Sequence, residues 1–391
     1  MKKIKIGMFM DSWYPDINGV ILVMENLLKN MNEYADVTLV VPKMGKNDVD
    51  NSNYPFKIIK IDSISLCLLN YRLGLVDLEY FKLKKQFKKI DFDIIHIHSP
   101  FALGRLGIRI AKEKNIPVIA TMHTRWEFEF EKYLKSKKLT NIVIRHLIKS
   151  YNKCNSCIAL NNSLTKVYDD YGYKGKYQII NNGTDLEIVK NKEEAIKKIN
   201  NLYKLNKNDI VFLFVGRIID VKNIFFILDV LRELKNRNFK FKMLYIGDGP
   251  DYNELSKKIK DYKMSNEIIL TGKIIDRELL KEIYYRADLF LLPSLYDSSS
   301  LVQIEAASQE TPTIFLEGAV TADTIENNVN GFTAKYNIKL FADRIEEIIN
   351  NKDLYNKVKK NAKEDLAKSW KQISLKTYNY YLKVIDEYKK Q

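Results

Sequence analysis

Residues 209–216 read DIVFLFVG, and the reading of this run decides the fold. Six apolar residues stand in a row and end at a glycine. A strand with one wet face alternates apolar and polar residues; a continuous run of this length fits a strand buried on both faces. FKMLYIG (241–247), NEIILTG (266–272), DLFLLPS (288–294) and TPTIFL (311–316) repeat the pattern, with helix-like segments between them. Toward the start of the chain the same alternation has already occurred once, in KIKIGMFM (3–10), ADVTLVV (35–41), DIIHIH (93–98), PVIATMH (117–123) and SCIAL (156–160). Val20, Val23, Met24, Leu27, Leu28 and Met31 recur at helical spacing between the first two of these. Strand–helix alternation predicts parallel sheets covered on both faces, and the restart at 209 predicts two doubly wound α/β domains. Residues 187–208 are polar and basic and read as a connection. The expected domains are therefore 1–187 and 188–370. The segment after Trp370, about 371–391, reads as a helix with aromatic rings to bury, packing back on the first domain.

At 391 residues the chain can bury two cores, and 46% apolar with 29% charged residues is ordinary for a water-soluble globular protein. No stretch approaches the roughly 18 apolar residues of a membrane span. The opening MKKIKIGMFMDSWYP is basic, but Asp11 interrupts it before an apolar signal core forms. The expectation is a cytoplasmic chain without its own anchor. Lys and Arg number 64 against 49 Asp and Glu, a net charge of +15. Such an excess attracts nucleic acid, anionic lipid or phosphorylated substrates. A nucleic-acid binder would cluster its cations with interleaved aromatics on one face, and nucleic acid is not the expected partner. Cys67, Cys154 and Cys157 are too few and too odd in number for a disulfide framework. CNSC (154–157) has metal or redox spacing but no second pair or nearby His to complete a zinc site. Cys157 is expected in a strand and Cys154 at the end of the helix before it.

Ligands of doubly wound sheets bind at the carboxyl ends of the strands. After the first strand comes PDINGV (15–20), where Asn18 can cap a helix and Gly19 lets backbone amides approach an anion. After DIVFLFV comes VGRIIDVKN (215–223). Arg217 and Lys222 can neutralise a diphosphate there, although two loop cations are ordinarily just solvated. PSLYDSSSLVQIE (293–305) holds Ser300 three residues before Gln303, a capping-box pattern that starts a helix near Leu301. The free amides of that helix favour an anion. Glu305, one turn in, can accept from two adjacent hydroxyls, as on a ribose, and Asp297 on the turn can accept from a second polyol. The same two acids also suit general acid–base catalysis, as in a glycosidase, or plain helix-start chemistry. YIGDGP (245–250) is a tight turn without the spacing of a dinucleotide or phosphate-loop motif. His96 and His98 share one strand face, and His123 closes a neighbouring strand in ATMHTRWE. A metal reading lacks a third ligand, so no metal site is expected, and His98 is expected to line the cleft.

The ordered set PDINGV, HSPFALGRLG, TMHTRWE, NNGTD, VGRIIDVKN, YIGDGP, LTGKIIDRELLKEIYYRADLFLLPS and the acid pair resembles family 4 of the retaining glycosyltransferases, from Met8 to Phe332. The resemblance implies a GT-B fold, two Rossmann-like domains facing across a cleft that takes a nucleotide-diphosphate sugar. It also implies transfer with retention, no metal, and no cofactor beyond the donor substrate. Carried over motif by motif, Gly19 approaches the donor phosphate, and Arg217 and Lys222 hold the diphosphate. Glu305 takes the ribose, and Ile274 lies beside the base. Asp297, with the amides of Ser299 and Ser300, faces the donor sugar, and Leu301 and Val302 follow as donor contacts. His123 orients the reacting sugar. The implied catalytic set is His123, Arg217, Lys222 and Asp297. The chain departs from the family where Asp297 replaces the usual Glu, and where Ser300 and Glu310 replace common glycines.

For the acceptor, SISLCLLNYRLGLVD (63–77) is apolar for a connection. LEYFKLKKQFKKI (78–90) combines Leu78, Phe81, Leu83, Phe87 and Ile90 with Lys82, Lys84, Lys85, Lys88 and Lys89. A basic amphipathic helix of this kind can lie on an anionic membrane; its rival reading is a core-facing helix with a solvated lysine face. EKYLKSKKLTNIVIRHLIKS (131–150) adds a second basic, partly apolar stretch. HTRWEFEFEKYL and FALGRLGIRIAKEKNIP are similar to bacterial diacylglycerol glucosyltransferases, which puts Trp126 among the acceptor or membrane contacts. The expected reaction moves a hexose from a nucleotide-diphosphate sugar, UDP first, to a membrane lipid such as diacylglycerol. A surface polysaccharide or lipid-linked glycan is the alternative acceptor. The expected location is the cytoplasm, peripheral on the inner face of the plasma membrane.

Overall fold

A computed structural model of the chain describes residues 3–16, 18–45, 48, 50, 52–66 and 71–390. Ile17, Cys67 and residues 68–70 of the apolar stretch lie outside the described residues. The chain forms two compact units, Met1–Gly183 with Ser369–Gln391, and Thr184–Lys368.

In the first unit the strands are β1 (Ile4–Phe9), β2 (Ala35–Pro42), β3 (Lys57–Ile61), β4 (Ser63–Leu66), β5 (Tyr71–Gly74), β6 (Ile94–Ile97), β7 (Val118–Met122), β8 (Ser156–Ala159) and β9 (Tyr177–Ile179). Seven of them make one parallel sheet in the order β3-β2-β1-β6-β7-β8-β9, and β4 and β5 form a separate antiparallel pair. In the second unit β10 (Val211–Val215), β11 (Lys242–Ile246), β12 (Ile268–Gly272), β13 (Leu289–Leu292), β14 (Thr313–Leu316) and β15 (Phe332–Ala334) form a parallel sheet ordered β12-β11-β10-β13-β14-β15. The strand order reverses between β1 and β6 in one sheet and between β10 and β13 in the other. These switch points open the crevices in which such sheets take ligands.

The opening run owes its unbroken apolar character to this architecture. Phe212 and Phe214 enter the core on one face of the second sheet, and Val211, Leu213 and Val215 enter the core on the other. In the first unit the helix Gly19–Met31 buries Ile21, Val23, Met24, Leu27, Leu28 and Met31. Each such side chain contributes about 1.5–3 kcal/mol relative to exposure.

The segment read as a connection contains a helix, Lys192–Tyr203, capped by Asn191 accepting from the Glu194 amide. Only Ala195 and Ile199 of this helix are buried. Two apolar positions four residues apart among Lys, Glu and Asn are too narrow a stripe to show a helical period. The helix Trp370–Lys389 is closed at its start by a capping box between Ser369 and Gln372. Ser374 Oγ donates to the carbonyl of Leu27 (3.2 Å), within the first unit. Cys154 and Cys157 are buried free thiols, Cys157 in β8. Among the described residues no helix is long and apolar enough to cross a membrane.

Candidate active site

In the second unit both strands at the switch point carry chemistry at their carboxyl ends. β10 ends at Val215; Gly216 and then Arg217 follow, Arg217 exposed and without an ion pair among the described residues. A 3-10 turn, Asp220–Lys222, then brings Lys222 to Asp297, and the two side chains form an ion pair. Asn223 Nδ2 donates to the carbonyl of Pro293 (2.6 Å), tying the loop after β10 to the one after β13. The loop after β11 comes just as near: a Cβ at Gly247 would stand 1.8 Å from the carbonyl oxygen of Gly216, at a φ of +142°. Only glycine permits that approach.

The serine turn runs into the helix Leu301–Ser308. Ser300 Oγ accepts from the Gln303 amide at 3.4 Å, but the reciprocal half of a capping box is missing. Gln303 Nε2 is buried without a hydrogen-bond partner, and so is Asp297 Oδ2. Asp297 thus offers one oxygen to Lys222 and keeps the other unused. Ser299, Leu301 and Val302 are half-buried around this turn, and Ile274 is half-buried in the loop after β12. Glu305 is buried, with both oxygens engaged: Oε1 meets Arg277 Nη2 at 2.9 Å, and Oε2 accepts from the Tyr284 hydroxyl at 3.0 Å. Burial pushes its carboxyl above the usual range, and Arg277 and Tyr284 pull it back. Arg277 also reaches Asp185 Oδ1 at 2.7 Å. Arg277, Tyr284 and Asp185 were not singled out in the sequence. The one signal was the place of Arg277 and Tyr284 seven residues apart on a helix, hence on one face.

In the first unit Asn18 Oδ1 accepts from the Ile21 amide at 3.0 Å and starts the helix at Gly19. A Cβ on Gly19 would meet nothing within 4 Å, so the backbone there is open to an approaching group. Asp11, also missed, is buried at the end of β1 and accepts from the amides of Leu103 (2.8 Å) and Gly104 (3.3 Å) and from Ser99 Oγ (2.5 Å). That carboxylate anchors the start of the helix Ala102–Lys114.

His96, His98 and His123 come together. His98 Nδ1 and His123 Nε2 are 3.0 Å apart, and His96 lies 2.7 Å from both Tyr381 and Thr121 hydroxyls. They border a cavity of about 20 Å³, lined also by Asn182 and Trp370, room for a single water. Burial lowers the pKa of all three rings, that of His123 to about 4. They do not form a ligand set: among the described residues no group of three His, Cys, Asp or Glu is placed to hold a metal ion. His98 lines this pocket of the first unit together with His96 and His123.

One expectation about the acceptor surface is corrected. Trp126 is buried at 8% exposure, its ring between Phe101 and Phe130, so it does not face a membrane. The segment 78–90 splits its apolar residues between core and solvent. Leu83 and Phe87 enter the core, whereas Leu78 and Phe81 are 84% and 86% exposed. Lys82 pairs with Asp62 and Glu79, and Lys84 with Glu113. Lys85, Lys88 and Lys89 are exposed and make no ion pair among the described residues.

Comparison with known proteins agrees with this architecture. Solved structures of low identity share the fold of the whole chain. An Anabaena protein, HepE, in complex with UDP, superposes with a TM-score of 0.77 at 15% identity, over 96% of this chain and 99% of that one. The fold is GT-B. The family model for Glycosyltransferase Family 4 matches residues 17–188, and that for Glycosyl transferases group 1 matches residues 192–365. The chain belongs to the family 4 glycosyltransferases. It is 26% identical to an alpha-monoglucosyldiacylglycerol synthase of Acholeplasma laidlawii over 99% of both chains. It is 27% identical to the Streptococcus pneumoniae protein of the same name, over 79% of this chain and 70% of the relative.

Proposed function

We propose that the protein transfers a hexose, with retention and without a divalent metal, from UDP-sugar to a membrane lipid such as diacylglycerol. The observation that carries the reading is the arrangement at the β10/β13 switch point: Arg217 without an ion pair among the described residues, Lys222 on Asp297, and the helix Leu301–Ser308 starting four residues after Asp297. Cleaving the anomeric bond leaves negative charge on the diphosphate. Two cations and a helix N-terminus stabilise that charge as it develops. Asp297 then turns to the donor sugar through its unused oxygen, and Glu305 takes the ribose. With no carboxylate nucleophile assigned, the departing phosphate oxygen accepts the proton of the attacking hydroxyl on the same face of the sugar. His123, neutral at physiological pH, can serve a hydroxylated ligand as a hydrogen-bond partner and adds no charge. The names of the two diacylglycerol relatives, and Lys85, Lys88 and Lys89, exposed and without an ion pair among the described residues, favour a lipid acceptor on an anionic membrane.

The test is a mass-spectrometric transfer assay. Purified protein is offered a panel of UDP- and GDP-sugars with anionic vesicles containing diacylglycerol, with and without a chelator. A hexosyl-diacylglycerol of retained configuration, formed equally with chelator, is the expected product. Transfer only to a lipid-linked glycan would move the acceptor assignment. Binding competed by oligonucleotide and not by UDP would overturn the reading.

A further inference from the structure

We infer that Arg277 is a positioning residue for the nucleotide: held by Asp185, its guanidinium balances and orients the buried Glu305 carboxylate. The inference rests on the proposed role of Glu305 toward ribose and adds the group on which that role depends. A buried carboxylate is stable as an anion only when its charge is matched and its oxygens are bonded. Tyr284 satisfies Oε2 at 3.0 Å, but a phenol is neutral. Among the described residues Arg277 is the cation in contact, at 2.9 Å from Oε1. One helix, Arg277–Arg286, supplies both groups, and Asp276 fixes its start by accepting from the Glu278 and Leu279 amides. Asp185 meets the same guanidinium nitrogen at 2.7 Å, which pins a side chain that is otherwise 43% exposed.

The geometry leaves Glu305 able to work. A carboxylate has about four lone-pair directions, and Arg277 and Tyr284 occupy two of them. One direction remains on each oxygen, as two adjacent ribose hydroxyls require. The groups facing Glu305 are Arg277 and Tyr284 from the helix, with Asp185 beyond the guanidinium. Without Arg277, burial acts unopposed by any cation. The carboxyl then holds its proton to higher pH than in the wild type and, once protonated, loses acceptor capacity.

The experiment measures UDP affinity by calorimetry on the full chain at about pH 8 and about pH 6. Wild type is compared with Arg277→Ala, Arg277→Lys, Glu305→Gln and the Arg277→Ala/Glu305→Gln double variant, all first checked for cooperative thermal unfolding. UDP's own titration is common to all of them and cancels against wild type. Arg277→Ala is expected to bind about tenfold more weakly at the lower pH than at the higher, beyond any wild-type change, with Arg277→Lys between the two. Glu305→Gln is expected to weaken binding alike at both pH values. The double variant is expected to match Glu305→Gln, because Arg277 acts through Glu305. Additive penalties would mean that Arg277 touches the nucleotide itself, and an Arg277→Ala penalty without pH dependence would also overturn the inference. If Glu305→Gln binds UDP as wild type does, the ribose assignment fails as well, so the two failures are distinguishable.

Discussion

Removing Lys222 should do two separable things. Lys222 is 21% and Asp297 13% exposed at the side chain, so the pair is largely withdrawn from water. The second oxygen of Asp297 already lacks a partner. Lys222→Ala therefore leaves a mostly buried carboxylate with neither cation nor hydrogen bond. Breaking one side of a fully buried pair costs about 3–5 kcal/mol, and partial exposure here brings the expected loss to about 2–3 kcal/mol. A domain of ordinary stability, about 5–15 kcal/mol, survives that loss but melts earlier. Loss of a charge-stabilising donor at the diphosphate should in addition lower kcat by about 100- to 1,000-fold. Arg217, exposed and without an ion pair among the described residues, supports none of their side chains, so Arg217→Ala should lose a similar factor in rate while its Tm stays at the wild-type value. Lys222→Ala/Asp297→Asn should recover most of the Tm without recovering turnover. The assay pairs initial rates of UDP-sugar turnover with denaturant or thermal unfolding of each variant. If Lys222→Ala melts with wild type and turns over within about threefold of it, both the ion pair and the diphosphate role are wrong.

Acid should weaken the first unit through its histidines. Each ring is held below the ordinary value of 6.5, so the unfolded chain binds protons that the folded chain refuses, and the stability present above that value is lost as pH falls through the folded values, about 4 for His123. From about pH 7.5 to about pH 5 each contributes a loss of about 2 kcal/mol; the tryptophans Trp13, Trp126 and Trp370 all lie buried in this unit, so fluorescence-detected urea unfolding reads it, and His98→Phe should remove about a third of the slope. A flat pH profile would contradict the burial of the three rings. Gly19→Val should leave the Tm unchanged, because nothing within 4 Å opposes a side chain, yet raise the donor KM by about tenfold; an unchanged KM would remove Gly19 from the donor site. Lys85→Ala/Lys88→Ala/Lys89→Ala should weaken partition onto anionic vesicles about a hundredfold at low salt, at about 1 kcal/mol per lysine, and should leave neutral vesicles unaffected. Equal sedimentation of the two proteins with anionic vesicles would argue that these lysines are merely solvated.

Much of the fold was legible because the rules behind it are local. A run such as DIVFLFVG names a strand buried on two faces, and Asn18 and Ser300 cap helices through bonds to amides only three residues away. Those signals lie within one turn or one strand of the residues they govern, so the sequence alone determined two parallel α/β units and the loops that bear Gly19, Arg217, Lys222 and Asp297. Tertiary structure decided what each side chain meets. It joined Lys222 to Asp297 across 75 residues, and set Arg277 and Tyr284 on the two oxygens of Glu305. It closed His98 against His123, turned Trp126 inward, and sent Leu83 and Phe87 to the core while Leu78 and Phe81 stayed in water. Burial and ion pairing at these positions depend on which elements the folded sheets bring side by side, and no spacing along the chain encodes that neighbourhood.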